Sequence, residues 1–141
     1  MPNGLDPFDS RFLGYSAEDA RSYIAALARA GGTDTYLGVF RTLDTVFPLA
    51  LTITFLGTLW LNTASLGLPL RMLLLFCPLL YLVADLLENA QVAAMLIAGP
   101  EGSATFVEKA SRMTQIKWFG VAVSLAAMTA TWGHRRMRGE S

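Results

Sequence analysis

Residues 69–99 read PLRMLLLFCPLLYLVADLLENAQVAAMLIAG, and this stretch decides the fold. After Arg71 the only charges in it are Asp85 and Glu88, with the amide of Asn89 beside them. A helix needs about 20 largely apolar residues to cross a bilayer, and this run exceeds that. From Leu70 to Ala98 it would extend roughly 43 Å at 1.5 Å per residue, beyond a hydrocarbon core of about 30 Å. The excess predicts a span that tilts, kinks or projects. Pro78 is the expected kink, and Gly99-Pro100 the expected stop.

Working outward, residues 45–70 carry no charge. They predict a first span at about 44–62, with a helix that can begin as early as Tyr36 and a kink or loosening at Pro48. Asn62 to Pro69 reads as a short connection, with Gly67 and Pro69 as breakers. The second span is about 70–98. A third is expected at about 117–133, where Lys117 can snorkel and Trp118 and Trp132 suit the two interfaces. Ala122, Ala126 and Ala130 form one small-residue ridge along it, and Gly120 and Ser124 another; such ridges let helices approach closely. Residues 1–43 form an extramembrane segment containing an amphipathic helix at 16–30. Ser16 is its cap, Ala20, Tyr23, Ile24 and Leu27 its apolar face, and Gly31-Gly32 its end. That face suits either lipid or the ends of the spans. Ser103–Gln115 reads as a separate short surface helix, and residues 134–141 as a basic tail. The expected fold is therefore an all-α membrane protein: three transmembrane helices plus an N-terminal amphipathic helix.

Composition agrees. The chain of 141 residues is 53% hydrophobic and 16% charged with no net charge, where soluble domains are about one-quarter charged. Nothing marks a nucleic-acid surface. One cysteine, Cys77, and one histidine, His134, leave no usual zinc or bis-histidine haem site. There is no Walker loop or dinucleotide fingerprint, so no cofactor and no metal are expected. Met1 to Ser10 is polar, with Asp6 and Asp9, and reads as no signal peptide.

Asp85, Glu88 and Asn89 fall within about 100° of one helical face, with Tyr81 one turn earlier. Charge inside a span is expensive and turns toward protein or a wet cavity. With three consecutive spans, the start of the first, the end of the second and the start of the third share one side of the membrane. That side brings Arg41, Asp44, Tyr81, Asp85, Glu88, Asn89 and Lys117 together, with Lys117 placed to neutralise Glu88 or Asp85. The candidate polar cluster is Asp44, Tyr81, Asp85, Glu88, Asn89 and Lys117. It acts either as polar glue between helices, at about 0.6–2 kcal/mol per contact, or as a site for proton exchange, a ligand or acid–base chemistry.

Several strings together carry a resemblance: Asp9-x-Arg11, Gly14-Tyr15-Ser16-x-Glu18-x-Ala20, Asp44-x-x-Phe47-Pro48, Asp85-x-x-Glu88-Asn89-Ala90 and Ala110-Ser111…Thr114…Lys117-Trp118. Over roughly residues 7–135 the chain resembles an uncharacterised family of small bacterial integral membrane proteins with four spans. The family's first span, ahead of the Gly-Tyr segment, has no counterpart here. The resemblance implies a bacterial inner-membrane location, with residues 1–43 outside the cytoplasm and the tail within, and it implies no activity. The tail His134-Arg135-Arg136-Met137-Arg138 by itself also favours a cytoplasmic C-terminus, although basic residues at the other end nearly balance it.

The expected function is an accessory or binding component in the bilayer. Its expected partners are a larger membrane complex or further copies of the chain. One alternative is a membrane enzyme acting on a lipid-soluble substrate, with Asp85 or Glu88 as acid or base. Another is proton or ion movement through an oligomer. No residue is assigned a catalytic role.

Overall fold

The computed structural model describes residues 8–102 and 104–137. The reading of the first residues as leaderless, the start of the surface helix at Ser103 and the last of the basic tail fall outside these. Among the described residues the chain is 89% helix with no strand. After a short 3-10 turn at Phe8–Ser10 come four helices: α1 (Ala17–Arg29), α2 (Thr33–Asn62), α3 (Leu68–Gly102) and α4 (Ala104–Met137). Two of them, α2 and α3, are long and apolar enough to cross a membrane.

The start of α1 is a reciprocal cap. The Asp19 amide donates to Ser16 Oγ at 3.1 Å, and the Ser16 amide donates to Asp19 Oδ2 at 3.0 Å. These bonds fill two of the donors that a helix N-terminus leaves open. The hydrogen bonds from Ser16 hold the exposed Asp19 carboxyl below its usual range, its side-chain bond contributing most. A carboxyl lowered on folding stabilises fully above its unfolded value, about 3.9, and stops doing so as pH falls through the lower folded value. Amide protection factors in the first turn of α1 are therefore expected to fall on strong acidification, and Asp19→Asn to remove that pH dependence.

The apolar face of α1 packs on protein. Tyr23, Ile24 and Leu27 join Val92, Met95 and Leu96 of α3 and Val107 and Ala110 of α4 in one buried cluster, with Phe8 inserted among them. Phe8 meets both Tyr15 and Tyr23 at ring-centroid distances of 4.7 Å.

In α2 a first α-helical turn at Thr33–Thr35 passes into a π turn at Tyr36–Phe40, and the helix then continues through Pro48. α3 keeps helical dihedrals through Pro78, so the expected kink is absent there, and breaks at the expected stop, Gly99, with φ 73° and ψ −179°. That positive φ needs glycine, whereas proline in a helix removes only one hydrogen bond and leaves φ helical. The Ser103–Gln115 piece is not a separate helix either. The described part of it is about the first third of a 34-residue α4 that runs on into residues 117–133. Ala104 to Phe119 contains no glycine or proline to interrupt it, so a change of polarity leaves the helix whole.

α3 and α4 pack antiparallel, with α2 laid along both. They approach closely at Gly120, where an added Cβ would lie 3.1 Å from the Tyr81 amide nitrogen and 3.2 Å from its Cα. Ser124, one turn on, is fully buried, while Ala122, Ala126 and Ala130 face outward. Of the two small-residue ridges, only the Gly120 ridge is a helix contact. Gly120→Ala is expected to lower the thermal unfolding midpoint, at about 1–3 kcal/mol, because backbone must move. Gly133→Ala, with open space around it, should gain up to about 1 kcal/mol from helix propensity. Equal effects at the two glycines would refute this account of the packing.

Candidate functional site

A continuous polar chain crosses the bundle. On α3, Asp85, Glu88 and Asn89 share a face, and Asp85 and Glu88 are buried. On α4, Thr114 and Lys117 are three residues apart and equally buried. Lys117 Nζ stands 2.5 Å from Glu88 Oε2 and 3.2 Å from Asp85 Oδ1. The Thr114 hydroxyl donates to Glu88 Oε1 at 2.6 Å. Both Glu88 oxygens are thus engaged from α4, and the Lys117 side chain, 5% exposed, turns inward instead of snorkelling.

Asn89 extends the chain to α2. Its Nδ2 donates to Asp85 Oδ2 at 3.0 Å and to the main-chain carbonyl of Asp44 at 2.8 Å. That carbonyl has a reason to need a donor. In an α-helix it would accept from residue 48, and residue 48 is proline, which has no N–H. The side-chain amide of α3 thus occupies the bond that Pro48 withholds.

Beside this network lies an open cleft of about 370 Å³ between α2, α3 and α4. Asp44, Tyr81, Asp85 and Lys117 supply its polar lining, and Phe47, Pro48, Leu51, Trp118 and Val121 its apolar walls. Glu88 and Asn89 do not line it. Asp85 is the residue shared by the ionic network, the Asn89 bond and the cleft.

All six residues expected as a cluster lie at this one place, Asp44 through its carbonyl and its position in the cleft wall. Sequence reasoning missed Thr114, although Ala110, Thr114 and Lys117 recur at helical spacing. It also missed the cleft's aromatic wall and the docking of the N-terminal segment on α4. The Tyr15 amide donates to Ser111 Oγ at 3.0 Å, and Gln115 Nε2 donates to the Leu13 carbonyl at 2.8 Å. Gly14, with φ 85°, lies so close to Ser111 that a Cβ would overlap its Oγ. Phe12 then rests on Trp118, with ring centroids 4.3 Å apart, and so braces the cleft wall from outside. The Gly14-Tyr15 and Ser111 strings were the available signal.

Family models, curated proteins and solved structures contain no match to this chain.

Proposed function

We propose that this chain is a small integral membrane protein of three spans that binds an amphiphilic molecule in the cleft between α2, α3 and α4. Its role is that of a binding or accessory component of the bilayer. Packing supports the third span. Because α4 lies antiparallel along α3, a bilayer crossed by α3 also encloses α4 from about Lys117 onward. The outward faces of all three long helices are apolar: Phe47 is 66% exposed, Leu73 61% and Phe119 64%. In water these would form an extended apolar patch of the kind soluble monomers avoid, and hydrocarbon covers them at no such penalty. The length of α3 beyond a hydrocarbon core of about 30 Å is absorbed by projection, since the turns before its break at Gly99 pack on α1. The ionic network then sits near one end of the bundle. By the resemblance to bacterial proteins, the bilayer is an inner membrane and the arginine tail is cytoplasmic.

The observation that carries the binding role is the cleft itself. Its volume falls at the small end of ligand pockets, about 300–1,000 Å³, and it joins apolar walls to a few convergent polar groups. A molecule with a polar head and a hydrocarbon body matches it, the head at Tyr81, Asp85 and Lys117 and the body along Leu51 and Val121. An acid–base reaction on such a molecule would fall to Asp85, because Glu88 is turned away toward Thr114. Native mass spectrometry of the full-length protein, gently extracted from its host membrane, tests this. One defined small molecule per chain is expected, lost in Val121→Trp, which fills the wall and leaves the ion pairs intact. A chain that emerges bare, or that carries only a protein partner at fixed stoichiometry, would reject the cleft as a binding site.

A further inference from the structure

Charge at the cleft between α2, α3 and α4 does not balance. Three carboxylates, Asp44, Asp85 and Glu88, gather here around one ammonium, Lys117. Lys117 reaches the cleft wall, but its side chain is 5% exposed and its Nζ is divided between Glu88 and Asp85. Glu88 alone offsets that charge from behind, since it is fully buried and lines no part of the cleft. The two carboxylates that do line it, Asp44 and Asp85, give it an excess of negative charge.

Neighbouring cations do not make up the difference. Arg41 is exposed and borders a separate small pocket beside Asp44 and Asn89. Even with Arg41 counted, three carboxylates meet two cations. Arg11, on the docked N-terminal segment, is turned onto the rings of Phe8, Tyr15 and Tyr23, at 5.7, 5.9 and 6.0 Å from their centroids.

The walls suit the same sign. Phe47, Tyr81 and Trp118 line the cleft, one from each of α2, α3 and α4. The face of an aromatic ring attracts a cation through its quadrupole, and several rings around one point are a recurring way of holding an ammonium group.

We infer that the amphiphile held in this cleft carries a cationic amine head on its hydrocarbon chain. The ammonium lies beside Asp44 and Asp85 among the three rings, and the chain leaves along Leu51 and Val121. A carboxylate or phosphate head would meet the two aspartates, and a neutral hydroxyl would leave the excess charge in place. The inference rests on the binding role proposed above and gives that ligand its charge.

The test titrates delipidated full-length protein in neutral detergent, at neutral pH, with hexadecylamine, hexadecanol or palmitate, and counts bound molecules by native mass spectrometry. The three probes share one chain length and differ in the charge of the head. Val121→Trp, run in parallel, identifies binding that belongs to the cleft. One hexadecylamine per chain is expected, at concentrations about tenfold below those needed for either other probe, and lost in Val121→Trp. Asp44→Asn keeps the side-chain size and the main-chain carbonyl that Asn89 reaches, and should remove most of the preference for the amine. The probe series on the wild-type chain needs no substitution and keeps the test open should Asp44→Asn misfold. Hexadecanol or palmitate held as tightly as the amine and lost in Val121→Trp, or an unchanged preference in Asp44→Asn, would overturn the cationic head and leave the cleft as a binding site. Failure of all three probes to bind, or binding undiminished in Val121→Trp, would overturn the binding role itself and the inference with it.

Discussion

Lys117→Met is expected to be the most damaging single substitution in this chain. Lys117 is the cation between two buried carboxylates, at 2.5 Å from Glu88 and 3.2 Å from Asp85. Methionine keeps the length of the aliphatic stem but leaves those carboxylates facing each other without a counter-ion. Breaking a buried pair by removing one partner costs about 3–5 kcal/mol, most of it the stranded charge. Arg112–Glu108 provides the contrast. Its contact is as short, 2.6 Å, but its side chains are 71% and 75% exposed. Water screens such a pair, and its loss should cost about 0–1 kcal/mol.

The measurement is the unfolding midpoint of the detergent-solubilised protein for Lys117→Met, Glu88→Gln, the double variant and Arg112→Met. Glu88→Gln retains an oxygen to accept from Thr114 and removes one of the two stranded charges. The double variant should therefore lose less than the sum of the two single variants, with a coupling of about 0.5–3 kcal/mol. If Lys117→Met shifts the midpoint no more than Arg112→Met, the network is not what holds α3 to α4.

Helical periodicity alone makes half of this network legible in the sequence. Asp85, Glu88 and Asn89 have to share a face, and the alternation of long antiparallel helices has to bring Lys117 to the same end. Thr114 escapes because a threonine in a helix normally satisfies itself on the carbonyl four residues back, a bond that it also reaches here, to Ala110 at 3.1 Å. Its second role toward Glu88 depends on how α4 is rotated against α3, which Gly120 and Tyr81 determine. The docking of α1 is ambiguous in the sequence for a different reason. Tyr23, Ile24 and Leu27 present the same chemistry to lipid as to protein, and only the projecting ends of α3 and α4 decide between them. The kink is misjudged where residue type stands in for backbone geometry, since Pro78 fits a helical φ, whereas the expected stop at Gly99 is where the helical dihedrals do end. The cleft is invisible in the sequence, since its walls come from three helices and no single stretch encodes a gap.

The second large effect is expected from Asn89→Leu, and its cause lies on another helix. Asn89 gives one N–H to Asp85 and the other to the Asp44 carbonyl. Leucine fits the space but leaves both acceptors short. A buried acceptor deprived of its partner costs about 1–3 kcal/mol. The Asp44 carbonyl is exposed to this loss only because Pro48 has no N–H to give it. Pro48→Ala should therefore repair part of the damage, restoring the bond within α2 that the side chain of α3 had replaced. In the wild-type background the same change adds a donor to a carbonyl already served, so its benefit through this bond should be smaller there. A double-mutant cycle of midpoints on Asn89→Leu and Pro48→Ala is the check. The expected result is a favourable coupling of about 0.5–3 kcal/mol, whereas additivity within about 0.3–0.5 kcal/mol would mean that the two sites are independent. Coupling would also explain why a proline can sit in the interior of α2 at the cleft wall: the carbonyl it frees is the point at which α2 is tied to Asp85.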